Sequence, residues 1–278
     1  MEKPGESLSH NFFTFRYPGR ESKYIEEFIA YRPDILNKYI YDVNMTTGTL
    51  LYSCRGGLGI TKEPYIVPMH KYISKKNFPR TLKEAFSENF GRQFGKWKYH
   101  ALRDRFSWLE EKVPTMRRGA ELYCLWAGSN FSHRYRVRGY DGVFFPTQID
   151  YEGIKNAGAI SREKKLIFRQ DDAFSMAENI ITSDVVLYTH IPYHFSKYGC
   201  EFYWNKKSLS KVIRVINEFD ELGHKVLVSM PYKKRGVVDE FDELTKILDK
   251  YDHTVFPKVK VKKYDIELDN SEIYFYNF

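Results

Sequence analysis

The chain has 278 residues, 42% hydrophobic and 17% aromatic, enough to bury a sizeable core and too apolar for an intrinsically disordered chain. Three cysteines (Cys54, Cys124 and Cys200) are widely spaced and odd in number, which fits neither a disulfide framework nor a zinc-ligand set and points to a reducing cytoplasm. No apolar stretch approaches the roughly 20 residues of a membrane span, and "MEKPGESLSH" has neither the basic nor the apolar region of a signal peptide, so a cytoplasmic protein without a membrane partner is expected.

After "FRYPGR" (15–20), the segment "ESKYIEEFIAYRPDILNKY" carries apolar residues at helical spacing and predicts a helix ending near Pro33. "YIYDV" (39–43) and "TLLYSC" (49–54) read as short strands with "TTG" turning between them, and "RGGLG" (55–59) reads as a further turn. The latter resembles a phosphate-cradling loop but lacks the Gly-Lys-Ser/Thr of a P-loop. "EPYIVPMHKYI" (63–73) predicts a helix with Pro64 in its first turn.

Residues 80–127 predict mostly helix, and "HRYRVRGYDGVFFPT" (133–147) alternates bulky and polar residues on both sides of "RGYDG", the pattern of a β-hairpin. The +8 net charge of the chain is concentrated here: residues 75–138 hold 15 Lys+Arg against 6 Asp+Glu, a local +9, leaving about −1 on the other 214 residues. A charge excess confined to one segment is the electrostatic footprint of a polyanion partner, although a basic face also serves solubility. The interleaved aromatics Phe94, Trp97, Tyr99, Phe106 and Trp108 suit nucleic acid as well as the segment's own core.

Strands and helices then alternate. Strands are expected at "KLIFR" (165–169), "DVVLYT" (184–189) and "KVLVSM" (225–230), and helices at 172–180, 208–223 and 238–251. The alternation predicts an α/β fold with a largely parallel sheet. "FPKVKVKKYDI" (256–266) and "SEIYFYNF" (271–278) predict an antiparallel hairpin that closes it.

Six segments, taken in order, resemble the Dam-type DNA adenine-N6 methyltransferases. "FRYPGRESKY" is similar to the family's opening Tyr-Pro-Gly-x-Lys motif, and "YIYDVNMTTGTLLY" stands at its glycine-rich cofactor loop. "FSHRYRVRGYDGVFFP" resembles the hairpin that reads the target sequence. "DVVLYTHIPY" stands at the catalytic Asp-Pro-Pro-Tyr, followed by "FYW" and by "SEIYFYNF" as the terminal strand. The resemblance implies a Rossmann-like methyltransferase sheet (1–74 and 150–278) with a C-terminal antiparallel hairpin. It also implies an inserted basic helical and hairpin DNA-recognition subdomain (75–149).

Carried over residue by residue, the family's cofactor positions are Tyr17, Pro18, Gly19, Asp42, Gly48 and Asp172, for S-adenosylmethionine. The catalytic positions are His190, Ile191, Pro192 and Tyr193, and the DNA-binding positions Phe131, Ser132, Arg134, Arg136 and Arg138. Four departures oppose methyl transfer. Glu21 replaces the opening lysine, with Lys23 two positions late. Asn44, Met45 and Thr46 fill a loop that needs small residues for close backbone approach. Gly59 and Ile60 stand where an acid would hold the ribose hydroxyls, and His190-Ile191 replaces Asp-Pro. Methylation of the amine needs a hydrogen-bond acceptor and an aromatic face for the flipped base. Tyr193 keeps the second; His190 supplies the first only when a neutral ring nitrogen faces the amine. His190 and His194 lack a third metal ligand at useful spacing.

The expected function is therefore that of a DNA-binding pseudo-methyltransferase that has lost its cofactor, with double-stranded DNA and an active methyltransferase or other subunit as partners. The alternative is an active adenine-N6 methyltransferase with a divergent site. The composition, rich in aromatics, Lys and Asn, suggests an AT-rich and viral source. Arg134, Arg136 and Arg138 recur at period two and so share one strand face, suited to phosphates and guanine edges.

Overall fold

The computed structural model describes residues 22–43, 45, 47–61, 65–91, 96–107, 115–127, 149–171, 185–191, 206–232, 242–256 and 271–278. Seven strands form one sheet: β1 (Tyr39–Val43), β2 (Gly56–Thr61), β3 (Ile167–Gln170), β4 (Val185–His190), β5 (Lys225–Tyr232), β6 (Asp252–Phe256) and β7 (Ser271–Tyr276). Their order is β3-β2-β1-β4-β5-β7-β6. The first five run parallel, and β7 is antiparallel to both β5 and β6. The central strands β1 and β4 are near-continuous apolar runs because helices cover both faces of a parallel sheet.

Nine α-helices are described: α1 (Ser22–Tyr31), α2 (Thr49–Ser53), α3 (Ile66–Ile73), α4 (Phe78–Phe90), α5 (Lys96–Ser107), α6 (Met116–Ala127), α7 (Tyr151–Glu163), α8 (Lys206–Glu221) and α9 (Asp242–Leu248). In α8, Val212, Ile213, Val215, Ile216 and Phe219 line one stripe and bury against Val226, Val228, Ile273 and Phe275. The helix stops at Gly223, whose φ of 72° lets His224 N donate back to Phe219 O at 2.8 Å, closing the last turn. On the other face, α1 contributes Ile25, Phe28 and Ile29, and Phe28 stacks on Tyr274 at 4.8 Å. Helix α7 starts at Asp150, whose carboxylate accepts from Gly153 N at 2.8 Å.

Among the described residues, helices α4, α5 and α6 share their core with the sheet. Phe78, Leu82, Phe90, Tyr99, Leu102, Leu122 and Leu125 belong to the same buried cluster as Ile40, Val186 and Leu227 of the sheet. Charged ties brace them from outside. Arg117 bridges Glu88 at 2.7 Å and Glu121 at 3.6 Å, and Arg118 reaches the buried Glu121 at 2.5 Å.

Three sequence expectations need correction. Residues 49–54 form helix α2 rather than a strand: Gly48 adopts φ 67°, ψ 25° and turns the chain into a helix whose Thr49, Leu50, Leu51 and Tyr52 are all buried. Residues 55–59 do not form a turn; 56–59 open strand β2. Its glycines answer close packing, since a Cβ on Gly57 would lie 2.0 Å from Ile40 O. The outer strand that pairs with β7 is Asp252–Phe256, so the expected antiparallel pairing starts earlier than 256, and residues 257–266 lie outside the described residues. Helix α7 was not anticipated at all. The expected helix at 172–180 and the hairpin at 133–147 lie outside the described residues.

Among the described residues, no helix is long and apolar enough to cross a membrane. Cys54 and Cys124 are free and buried.

Candidate functional site

From β1 the chain builds outward to β2 and β3 on one side, then returns to place β4 and β5 on the other. In an open parallel sheet, ligands bind at the carboxyl ends of the strands where this reversal occurs, because the two flanking loops diverge to opposite faces and leave a crevice. Here that point lies between the carboxyl ends of β1, at Val43, and β4, at His190. In register, Val43 pairs with Thr189 and Asp42 with Tyr188. The expected cofactor positions Asp42 and Gly48 and the expected catalytic positions His190 and Ile191 thus lie at or just beyond the carboxyl ends of two adjacent strands, although about 150 residues of sequence separate them.

The loop after β1 is drawn inward. Met45 N donates to Ile60 O at 2.9 Å, tying the loop to β2. The Met45 thioether points into the core, where a Cβ on Gly59 would meet it at 2.1 Å. Met45 therefore does not obstruct the crevice from within, as its place in a tight loop suggested; it fills the space beside β2 that a side chain at 59 would need. Ile60 is fully buried on the opposite face of the sheet, beside Val43 and Leu187. Neither position presents an acceptor at the end of β2. Asp42, 4% exposed, lies between Gly59 and Tyr188 in adjacent strands.

Beneath the loop lies a buried polar group that sequence reasoning missed. His70 of α3 stacks on Phe168 at 4.9 Å and 12°, and its Nδ1 is 3.1 Å from the Tyr52 hydroxyl. Burial pushes the Tyr52 hydroxyl far above its ordinary range, with the Ser161 hydroxyl bonded beside it. Tyr52 keeps its proton, and two arrangements satisfy the contact: the hydroxyl donates to a bare Nδ1 with the His70 proton on Nε2, or Nδ1–H donates to the hydroxyl oxygen. The His70 Cε1 atom is 3.5 Å from where a Cβ on Gly48 would stand, so the loop rests on this ring.

Across the crevice, His190 Nδ1 is 2.8 Å from Ser229 Oγ, which is 3.2 Å from the Tyr188 hydroxyl. Ser229 is the register partner of His190 in β5 and is fully buried. Two proton arrangements satisfy the chain. If Tyr188 donates to Ser229 and Ser229 to Nδ1, the Nε2 of His190 is a donor. If Nδ1 donates to Ser229 and Ser229 to Tyr188, Nε2 keeps a lone pair and can accept from an amine. Ile191 is buried and its N–H donates to Ser229 O at 2.9 Å, a ladder bond a proline there could not make. Ile191 is thus anchored by packing and by this bond instead of by a ring. Ser229 left a weak trace in the sequence, a single hydroxyl inside the apolar run of β5, but its pairing with a histidine 39 residues away depends on register.

On the insertion, the four described acids of residues 75–127 are all engaged: Glu84 with Arg80, Glu88 and Glu121 with Arg117, Glu121 also with Arg118, and Asp104 with Arg103. Among the described residues, Lys75, Lys76, Lys83, Lys96, Lys98 and Arg105 form no ion pair. Of the expected aromatics, Tyr99 is buried and Trp97 is exposed.

The remaining predicted positions, Tyr17, Pro18, Gly19, Phe131, Ser132, Arg134, Arg136, Arg138, Asp172, Pro192 and Tyr193, lie outside the described residues, as do Glu21, Asn44, Thr46 and His194. Among the described residues no three His, Cys, Asp or Glu side chains gather as a metal site. No protein-family model matches this chain, and no curated protein matches it significantly.

Proposed function

We propose that this chain is a DNA-binding protein of the Dam-type methyltransferase architecture that does not use S-adenosylmethionine. The strand order supports the architecture: β3-β2-β1-β4-β5 follows the first five strands of the Rossmann-type order 3-2-1-4-5-6, and an antiparallel hairpin follows in place of the sixth. The observation that carries the reading is that positions 59 and 60, at the end of β2, offer no side-chain acceptor for a ribose. Met45 takes the volume beside Gly59, and Ile60 faces the opposite core, so no side chain at either position can hold a ribose. The six cations of residues 75–105 that have no acid partner among the described residues support a polyanion as the partner, with double-stranded DNA the form implied by the family resemblance. Such a protein would mask adenine-containing sites or support an active methyltransferase subunit.

A second reading, an active adenine-N6 methyltransferase, rests on one observation. His190 Nδ1 lies 2.8 Å from Ser229 Oγ at the carboxyl end of β4, and the tautomer with its proton on Nδ1 would turn Nε2 into an acceptor.

Calorimetric titration with S-adenosylmethionine separates the two. The first reading expects no binding tighter than about 1 mM, roughly −4 kcal/mol; micromolar binding transfers the assignment to the second. Duplex binding should fall with salt at a log–log slope of about −5 if some six phosphates are neutralised. A flat salt response removes DNA from both readings.

A further inference from the structure

Trp97 lies in the first turn of α5 and is 71% exposed, the most exposed of the large hydrophobic side chains described. The core claims a different side of this helix, through Tyr99 and Leu102. Lys98 Nζ stands 5.6 Å from the indole centroid and donates to Phe90 O at 2.6 Å, so the ammonium that closes α4 also steadies the ring. Exposed Lys96 stands on the other side in sequence. Folding does not account for this group: an indole left in water contributes little burial, and the first turn holds two cations and no acid, against the preference set by the helix dipole. Such departures from local stability are expected where a surface is used.

We infer that Trp97 is a stacking platform for an unpaired nucleic-acid base, with Lys96 and Lys98 neutralising the phosphates on either side of it. The inference rests on the nucleic-acid reading above and adds the form of the partner: a base out of its stack, not only a duplex backbone. Charge complementarity selects a nucleic acid, because an exposed indole with one ammonium beside it and a lysine on either side in sequence matches a base flanked by phosphates. An acidic protein or a second copy of the chain would make different use of the same face, and both appear in the test.

The test is a fluorescence titration of the full chain with single-stranded oligodeoxyadenylate and, separately, with inorganic polyphosphate. Trp97→Phe serves to subtract the signal of the other tryptophans. The oligonucleotide should quench the Trp97 component while polyphosphate binds without quenching. Trp97→Ala should weaken oligonucleotide binding about 5- to 150-fold, leave polyphosphate affinity within about twofold, and keep the wild-type melting temperature. Quenching that is equal for both ligands, or an unchanged oligonucleotide affinity in Trp97→Ala, overturns the platform and leaves the DNA reading standing. If neither polyanion binds the wild-type chain, the DNA reading itself falls, and the platform with it. Loss of self-association in Trp97→Ala, with polyanion binding unchanged, reassigns the face to a contact between copies.

Discussion

Replacing Lys164 with methionine removes the ammonium that closes α2. Lys164 follows α7, yet its Nζ donates to the carbonyls of Tyr52 at 2.7 Å, Ser53 at 3.1 Å and Cys54 at 2.5 Å. The last carbonyls of any helix lack intrahelical partners, and in a five-residue helix they are most of the acceptors present. Hydrogen bonds to a charged group are worth about 1.5–3 kcal/mol. Three acceptors sharing one ammonium do not triple that figure, and burial, which pulls the Lys164 pKa below its ordinary value, offsets part of it. A net loss of about 2–3 kcal/mol is expected. A chain of this length has an unfolding entropy near 0.6 kcal/mol/K, so the melting temperature should fall by about 3–5 °C. Thermal unfolding followed by circular dichroism measures this, with Lys155→Met as the control: its exposed pair with Glu152 at 3.2 Å should cost under about 1 kcal/mol. A Lys164→Met melting point within 1 °C of wild type, or equal losses in the two variants, refutes the claim that this lysine holds α2.

Stability should fall steeply above pH 9. Burial raises the Cys54 thiol from 9.0 to about 12 and raises Cys124 as well. Below pH 9 folded and unfolded chains both keep these protons; above it only the folded chain does, so each thiol lowers stability by about 1.4 kcal/mol per pH unit until its folded value is reached. Lys164, with its lowered value, works the other way below pH 10.5 but as a single group. Urea midpoints from pH 8 to 10 should drop in the wild type and flatten in Cys54→Ala/Cys124→Ala; parallel curves contradict the assignment. Gly59→Ala should destabilise by about 1–3 kcal/mol through collision with Met45, and Met45→Ala should recover part of that loss. Strict additivity in the four-protein cycle would mean the two positions do not share one space. Arg136→Ala should cost about 1–3 kcal/mol at a preferred duplex and narrow the gap to random DNA, whereas Lys75→Ala should weaken all duplexes alike. Binding on several duplexes at two salt concentrations distinguishes them, and equal, sequence-independent losses would reduce the arginine hairpin to a basic patch.

Strands β1 and β4 were legible because a strand buried on both faces must be a continuous apolar run: "YIYDV" and "DVVLYT" have no other use for their side chains. Helix α8 was legible through five apolar residues on one stripe. The misreadings share a cause, namely local signals outweighed by contacts distant in sequence. "TLLYS" is too short to display a helical period, and its conformation depends on Gly48. The glycines of "GGLG" look like a turn, but they admit Ile40 and Met45 at distances no side chain allows. Helix α7 carries little apolar signal because it packs through small residues; a Cβ on Gly158 would lie 2.4 Å from Ile73 O. In "DHTVF" the residues Asp252 and His253 are exposed, so an edge strand beginning there resembled a loop beside the better-alternating "KVKVKK". At the site, the positions around the crevice could be named from the sequence. The Ser229 tie and the inward turn of Met45 could not, because each follows from strand register or packing volume.

The merging of the insertion helices with the core of the sheet has a mechanical consequence. A recognition unit on a flexible tether searches freely and pays an ordering entropy when it engages. Helices α4, α5 and α6 share one packed interior with the sheet and cannot swing without opening it. The surface bearing Trp97 and the crevice between β1 and β4 therefore belong to one stiff body. A polymer seated on the first would be gauged against the second at a set spacing, as on a ruler, and a strand carrying its target at the wrong distance would gain only half of the available contacts.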